Sequence, residues 1–503
     1  MSLIMKWLLS LALLGILCSR GEVKGQESLP GAVITGRVLN REVYPNVHDL
    51  VLRVAYFDTR EDDYTCRSDI AEDGTFCFSF QPYTTREVAI LTFVPGIIIG
   101  PGDSLHVEID FKDLGQVRFS GPAGKVNREF STYTGSYYSV LSVSTGQEGW
   151  CERVFLEEIN RERAALLERR EEYIERYKPS EVTRRLTRRL LDLDYYIALF
   201  HYYMMPSGNG PKYEDFDKSF AFVKEAEKCF TGDMVLARQF ELANGYTCVY
   251  LVNKWAREHG KDAFVDPWFT IRLIREMVPH ESLLYQYLMC DKLLYPVKLL
   301  NLELFEKEWT ECEPVISAPF LREPLRERYR IMKDYQEHPE KLTEVLLRGD
   351  LKRPVGNDGM AASFRLEDSK GLLGMDRLRE VIKRHPGEVI YINIWGTWCW
   401  PCIVEKKQEQ ELIRKFEPRG VRFVSLCTGD STRWRELITK HHFAGEHHLL
   451  RDNEFSDIFR TMHVEAIPYN MIIDRRGNLI AFGLLSPAMK WTEDKLEELI
   501  EGE

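Results

Sequence analysis

Residues Ile390–Glu405 read IYINIWGTWCWPCIVE, and this stretch decides the fold of the C-terminal third of the chain. The apolar, β-branched run Val389 to Ile394 has the length and composition of a central strand, and the charged, periodic run Ile403 to Phe416 reads as a helix. The two cysteines therefore sit where a strand hands over to a helix. There the unpaired backbone N–H groups and the helix dipole favour an anion, which lowers the pKa of the first thiol. Cys399 is accordingly expected as the attacking sulfur and Cys402 as the resolving one. Pro401 fits the first helical turn, where its missing N–H costs nothing.

A lone C-x-x-C is weak evidence, because it also serves as half of a zinc site. Here it is embedded in Trp395-Gly396-Thr397-Trp398-Cys399-Trp400-Pro401-Cys402, with Glu405 three residues beyond. This pattern resembles the thioredoxin superfamily, in its extracytoplasmic TlpA/ResA-like branch. The resemblance covers about the last third of the chain and implies a thioredoxin-like α/β domain over 354–503. It implies that Ile467-Pro468 is a cis-proline loop facing the sulfurs, followed by the strand Tyr469 to Ile473, the turn Asp474 to Asn478 and a closing strand Leu479 to Gly483. Val421 to Cys427 is expected as a strand, and Thr432 to Phe443 and Thr492 to Glu501 as helices. Asn393 stands where cytoplasmic thioredoxins carry a buried acid, so proton handling would fall to Glu405.

The same resemblance implies a reaction. The Cys399 thiolate attacks a disulfide in a groove bordered by Trp398, Trp400 and Ile467 at the Pro468 loop, and Cys402 resolves the mixed disulfide. No cofactor beyond the Cys399/Cys402 disulfide is expected. The implied partners are disulfide-containing envelope proteins and a membrane electron donor of the DsbD/CcdA type. Reduction is the direction suggested by the branch, although the Trp400-Pro401 dipeptide could shift the potential enough to reverse it. The rival reading is an envelope binding or scaffold protein in which the redox unit is a sensing or structural appendage.

Met1 to Arg20 has one basic residue before Arg20, Lys6, then the apolar run Leu8 to Leu17. Such a run is too short to span a bilayer and matches a secretory signal, with cleavage expected after Gly25 and a periplasmic location. A lipoprotein signal with lipid on Cys18 is the alternative, against which Leu17 stands, since a small residue is expected there. At 503 residues and 44% hydrophobic content the chain is long enough for several domains. A net charge of −11 spread over that length argues against nucleic-acid binding.

Residues 31–121 read as a β domain. Val33 to Leu39, Leu50 to Tyr56, Phe76 to Phe80, Val88 to Phe93 and Leu105 to Phe111 are short β-rich runs separated by turn signals. Gly36-Arg37-Val38, Asp73-Gly74-Thr75-Phe76 and Pro101-Gly102-Asp103-Ser104-Leu105 are similar in pattern to the small β-sandwich that precedes thioredoxin domains in Bacteroidetes envelope proteins. Cys66 and Cys77 flank Asp73-Gly74. If that turn is a two-residue hairpin, they sit four residues apart along the ladder at roughly 3.3 Å per residue, too far to bond. Separate thiols are expected.

Residues 127–347 read as helical, with Cys151 to Tyr177 densely charged and Val182 to Met205 more apolar. Solvated helix faces are the expectation for those charges. A core role is expected for Tyr195, Tyr196, Phe200, Tyr202 and Tyr203, and a buried-thiol role for Cys151, Cys229, Cys248, Cys290, Cys312 and Cys427. The fold class expected is therefore multidomain α+β: an N-terminal β-sandwich, a central α-helical region and a C-terminal thioredoxin-like domain. Leu351 to Gly356 is the expected junction, Ala362 to Glu367 an added strand, and Met375 to His385 a helix. His441, His442, His447 and His448 are expected as surface residues rather than metal ligands, because their spacing does not share one helix face.

Overall fold

The computed structural model describes residues 30–45, 47–54, 64–141, 151–204, 215–260, 267–298, 301–343, 374–461, 467–483 and 485–502. The signal segment with Cys18, the junction at 351–356 and the strand expected at 362–367 lie outside them. The architecture mixes helices and sheets throughout. Among the described residues, no helix is long and apolar enough to cross a membrane.

The front of the chain builds two sheets. β1 (Ala32–Leu39), β4 (Thr75–Phe80), β7 (Ser104–Asp110) and β8 (Arg118–Ser120) form one in the order β4-β1-β7-β8. β2 (Asp49–Val54), β3 (Tyr64–Asp69), β5 (Thr85–Ile90) and β6 (Val94–Ile99) form the other in the order β3-β2-β5-β6. β4 alternates exposed and buried residues along its whole length, so its sheet keeps one wet face there. Ile34, Phe78 and Val107 of the first sheet share a core with Leu52, Val88 and Ile97 of the second.

Two features correct the sequence reading. β3, β6 and β8 were not expected; β6 contains Pro95 and Gly96, both strand-breaking in sequence, and tolerates them at the end of its sheet. The Asp73-Gly74 turn is a corner between sheets, not a hairpin. Cys66 pairs with Leu52 in one sheet while Cys77 pairs with Thr35 in the other. No disulfide joins them, as expected, but the sheet change rather than ladder spacing separates them.

Helices follow, among them α1 (Gly124–Ser136), α2 (Glu152–Tyr177), α3 (Glu181–Met204), α4 (Arg238–Gly245), α5 (Leu283–Lys298) and α6 (Pro319–Glu337). α3 is buried along most of one side, with Leu186, Leu190, Leu193, Ile197 and Phe200 in the core, and Tyr196, Tyr202 and Tyr203 are core residues as expected. Cys229, Cys290 and Cys312 are buried thiols, but Cys151 is exposed because it immediately precedes α2, outside the packed face. The two-residue strand β9 (Met234–Val235) pairs parallel with β5, joining the helical region to the second sheet.

The C-terminal sheet has the order β12-β11-β10-β13-β14, from β10 (Val389–Gly396), β11 (Val421–Thr428), β12 (Glu446–Leu449), β13 (Tyr469–Ile473) and β14 (Leu479–Gly483). β10, β11 and β12 run parallel; β13 and β14 are antiparallel. Every residue of β10 is buried, as a continuous apolar run between two neighbouring strands requires. α7 (Gly374–Arg384), α8 (Trp400–Phe416), α9 (Ser431–His441), α10 (Asp452–Thr461) and α11 (Lys490–Glu501) accompany the sheet. The sequence reading lacked β12 and α10, because Glu446-His447-His448-Leu449 is a short, polar edge strand with no apolar alternation.

Candidate functional site

The parallel β10 ends at Gly396 and the chain turns at once into α8, for which Cys399 is the N-cap. The Cys402 N–H donates to the Cys399 sulfur at 3.2 Å, and Cys399 N–H donates to the Gly396 carbonyl at 3.0 Å. An N-cap sulfur that receives a backbone N–H is where a thiolate is stabilised. The two cysteines are joined in a disulfide. Cys402 is fully buried and Cys399 only slightly less so, the latter 3.6 Å from the Ile467 carbonyl. The Ile467–Pro468 peptide is cis. Trp395, Ile403 and Cys427 complete the apolar bed around the sulfurs, with Ile467 packed against it.

Trp398 and Trp400 flank the pair and are 63% and 68% exposed, so two large aromatic surfaces face solvent beside a nearly buried sulfur. The Trp398 ring rests on glycine. A Cβ on Gly396 would lie 3.1 Å from its Cε2 and one on Gly429 2.8 Å from its Cζ3. Gly429 also has φ +119°, a conformation that side chains rarely adopt. The Thr397 segment is fixed from beneath, its N–H donating to Thr428 O at 3.1 Å while its carbonyl accepts from Arg433 Nε at 3.0 Å.

Glu405, one turn beyond Cys402, is buried against the sheet. Burial raises its carboxyl from 4.5 to about 7; the Asn470 amide opposes that rise, the neighbouring Glu409 adds to it, and Ser486 and Lys406 oppose it. Asn470 Nδ2 donates both to Glu405 Oε1 at 2.8 Å and to Leu485 O at 2.7 Å. Since a carbonyl only accepts, this fixes which end of the amide faces the carboxylate. Asn470 Oδ1 in turn accepts from Asn393 Nδ2 at 2.7 Å, and the two asparagines are cross-strand partners in β10 and β13. Asn393 thus reaches the acid through a second amide.

A second buried polar group lies on the adjoining face of α8. Lys406 and Glu409, both essentially inaccessible, form an ion pair, and Lys406 Nζ also donates to Ser425 Oγ in β11 at 2.5 Å. Burial pushes the Glu409 carboxyl up while Lys406 holds it down. Burial and Lys406 hold the half-buried His447 imidazole down at about 4, and its Nε2 is 3.0 Å from Phe443 O. His448 and His385 instead flank the carboxylate of Glu446. His447 and His448 therefore belong to β12 and its neighbours, a correction to the surface reading, while His442 is exposed.

Cys399, Cys402, Trp398, Trp400, Ile467 and Pro468 are brought together at one end of the sheet, with Glu405 beneath. Asn470, Gly429, Arg433 and the Lys406–Glu409 pair were not anticipated. Asn470 had a usable signal: one polar residue inside the otherwise apolar Tyr469–Ile473, matching the one polar residue, Asn393, inside Val389–Ile394.

No protein-family model matches the chain. Eight curated proteins do, among them a thiol-disulfide oxidoreductase ResA of Bacillus thuringiensis, 28% identical over 102 residues, or 20% of this chain and 56% of that protein. Another, the ResA of Geobacillus kaustophilus, is 26% identical over 128 residues, 25% of this chain and 69% of that protein. The C-terminal part of the chain is similar to thioredoxin-superfamily proteins of the TlpA/ResA-like branch. The chain spans a little over half the length of the first of these ResA proteins. A solved thioredoxin domain of a thiol-disulfide oxidoreductase from Bacteroides vulgatus is 16% identical, covering 24% of this chain and 83% of that one, with a TM-score of 0.22. In this thioredoxin-like unit, Trp400–Phe416 is the helix that presents the two cysteines, and α9, β12 and α10 lie between β11 and β13.

Proposed function

We propose that the chain is a periplasmic thiol-disulfide oxidoreductase that reduces disulfides of envelope proteins through Cys399 and Cys402. The observation that carries this reading is the N-cap position of Cys399, with the Cys402 N–H on its sulfur and exposed Trp398 and Trp400 on either side. In the dithiol form, the Cys399 thiolate attacks one sulfur of the substrate disulfide. That S–S bond breaks, a mixed disulfide forms, and the released substrate thiolate takes up a proton. Glu405, as carboxylate, accepts the Cys402 proton, and the Cys402 thiolate attacks Cys399 to release the second substrate sulfur. Two electrons pass from the dithiol to the substrate, and a membrane dithiol donor of the DsbD/CcdA type would restore the starting state.

In the same reading, residues 31–121 form a β-sandwich domain, 127–347 a helical domain and 354–503 the thioredoxin-like domain. The expected signal at 1–25 would deliver the chain across the inner membrane. The test is reduction of insulin disulfides by the prereduced protein, with Cys402→Ser run alongside. Wild type should reduce insulin and Cys402→Ser should accumulate a mixed disulfide at Cys399; no reduction and no trapped adduct would overturn the reading. The direction is tested by the potential of the pair: about −270 mV, as in thioredoxin, fits a reductase, and about −120 mV, as in DsbA, fits an oxidant.

A further inference from the structure

The helical region holds a cavity of about 500 Å³ between α2, α3 and the short segment ending at Cys229, which the redox chemistry does not use. In a chain with net charge −11, its wall carries six arginines and Lys228 against three carboxylates. α3 supplies Arg184, Arg185, Arg188 and Arg189, spaced so that one side of the helix is cationic, and α2 supplies Arg163 and Arg170 two turns apart.

Ion pairs do not use up this charge. Arg163 and Arg188 share the single carboxylate of Asp192, at 2.8 and 2.9 Å. Arg185 and Arg189 likewise share Asp233, while Arg170 meets Glu171 and Lys228 meets Glu225. Counting Glu181 together with these partners, of which Asp233 and Glu171 lie off the wall, five carboxylates answer seven cations, an excess of two positive charges. The spare hydrogen-bonding capacity is concentrated in one place. Arg184 donates only through Nε, to the Pro179 carbonyl at 3.1 Å, and Arg188 only through Nε, to Asp192; the Nη atoms of both have no partner among the described residues. Arg163 Nε is a buried donor with no partner among them.

We propose that this cavity binds a small phosphate-bearing molecule, held by Arg184 and Arg188 with Arg163 behind them. Guanidinium forks match phosphate oxygens in pairs, and a phosphate monoester carries close to two negative charges near neutral pH, the charge that the wall lacks. The volume lies within the roughly 300–1,000 Å³ of small-molecule sites, which leaves room beyond the phosphate for an organic portion against Tyr196. A free phosphate ester and a phospholipid headgroup present the same chemistry. The inference is independent of the redox reading.

The test uses the full chain in low salt, titrated with glycerol 3-phosphate, with glycerol as control, and separately with phosphatidylcholine vesicles with and without phosphatidic acid. Saturable binding of glycerol 3-phosphate and none of glycerol is expected. Arg184→Gln and Arg188→Gln should each weaken it by about tenfold, the scale of one charge-assisted hydrogen bond, with unchanged melting in the absence of ligand. Binding confined to phosphatidic acid vesicles and lost in the same variants would identify a headgroup as the source. Failure of both probes, or binding that survives in the folded Arg184→Gln/Arg188→Gln protein, overturns the proposal.

Discussion

The helix that carries the cysteines and the helix pair that lines the basic cavity handle charge in opposite ways. On α8, Glu405, Lys406 and Glu409 are removed from water, and each is answered by a named partner: Asn470 for Glu405, Ser425 and Glu409 for Lys406, and the Lys406 ion pair for Glu409. On α3 the guanidinium groups of Arg185 and Arg188 keep contact with solvent, and with Arg189 and Arg163 of α2 they share too few carboxylates. A buried charge in fixed surroundings tunes a proton affinity, whereas a wet, underneutralised cluster remains available to a ligand. The difference can be broken experimentally.

The largest effect expected is that Cys399→Ser brings insulin reduction to background, while Arg184→Gln/Arg188→Gln leaves its rate unaltered; a loss in both would join the two regions functionally. Glu405→Gln comes next. Removing the base should slow resolution of the mixed disulfide by about 100-fold and abolish the rise in that rate with pH through about 7, read by stopped-flow tryptophan fluorescence. The same variant has a stability signature. Because burial raises this carboxyl from 4.5 to about 7, the folded state binds the proton more tightly than the unfolded chain does. The Glu405 contribution to stability is therefore highest below pH 4.5 and falls as pH rises through about 7. Denaturant melts should show Glu405→Gln matching wild type at pH 4 and exceeding it by about 3 kcal/mol at pH 8.

Lys406→Met leaves Glu409 buried and unanswered, and should cost about 3–5 kcal/mol, with a smaller loss in Lys406→Met/Glu409→Leu. Equal losses in the single and double variants would show that the pair is merely packing. Asn470→Leu removes a donor that favours the carboxylate, so the inflection near pH 7 should move upward by about one pH unit without loss of the sulfur chemistry. Gly429→Ala should cost about 1 kcal/mol from its positive φ, to which the close approach of the new Cβ to Thr397 Oγ1 adds, accompanied by altered Trp398 emission as the ring leaves its glycine floor.

The same contrast explains what could be read in advance. The strand, the turn, both cysteines and the helix occupy sixteen consecutive residues, so local pattern and local chemistry coincide. Ile467-Pro468 followed from the resemblance. Asn470 was harder, since its meaning depends on facing Asn393 across two strands that lie 77 residues apart in sequence. The cavity was out of reach. Its arginines come from two helices and read individually as solvated faces, and only their convergence, with Asp192 and Asp233 each serving two of them, exposes the unbalanced charge. The front sheets were legible where residues alternate, as in β4, and not where Pro95 and Gly96 interrupt β6.

The two-residue strand β9 has a consequence for how this protein comes apart. Met234 and Val235 pair with Thr85 and Arg86, Thr84 Oγ1 donates to the Gly232 carbonyl at 2.7 Å, and Phe320 of α6 lies where a Cβ on Gly232 would go. Three segments, the first two of them 148 residues apart in sequence, thus close one seam. A fragment ending at residue 121 would leave the flank of β5 unclad, and one starting at 127 would leave β9 with no strand to join. Recombinant fragments cut at that boundary should be aggregation-prone, whereas a single piece spanning 30–343 keeps the seam and should melt in one cooperative step.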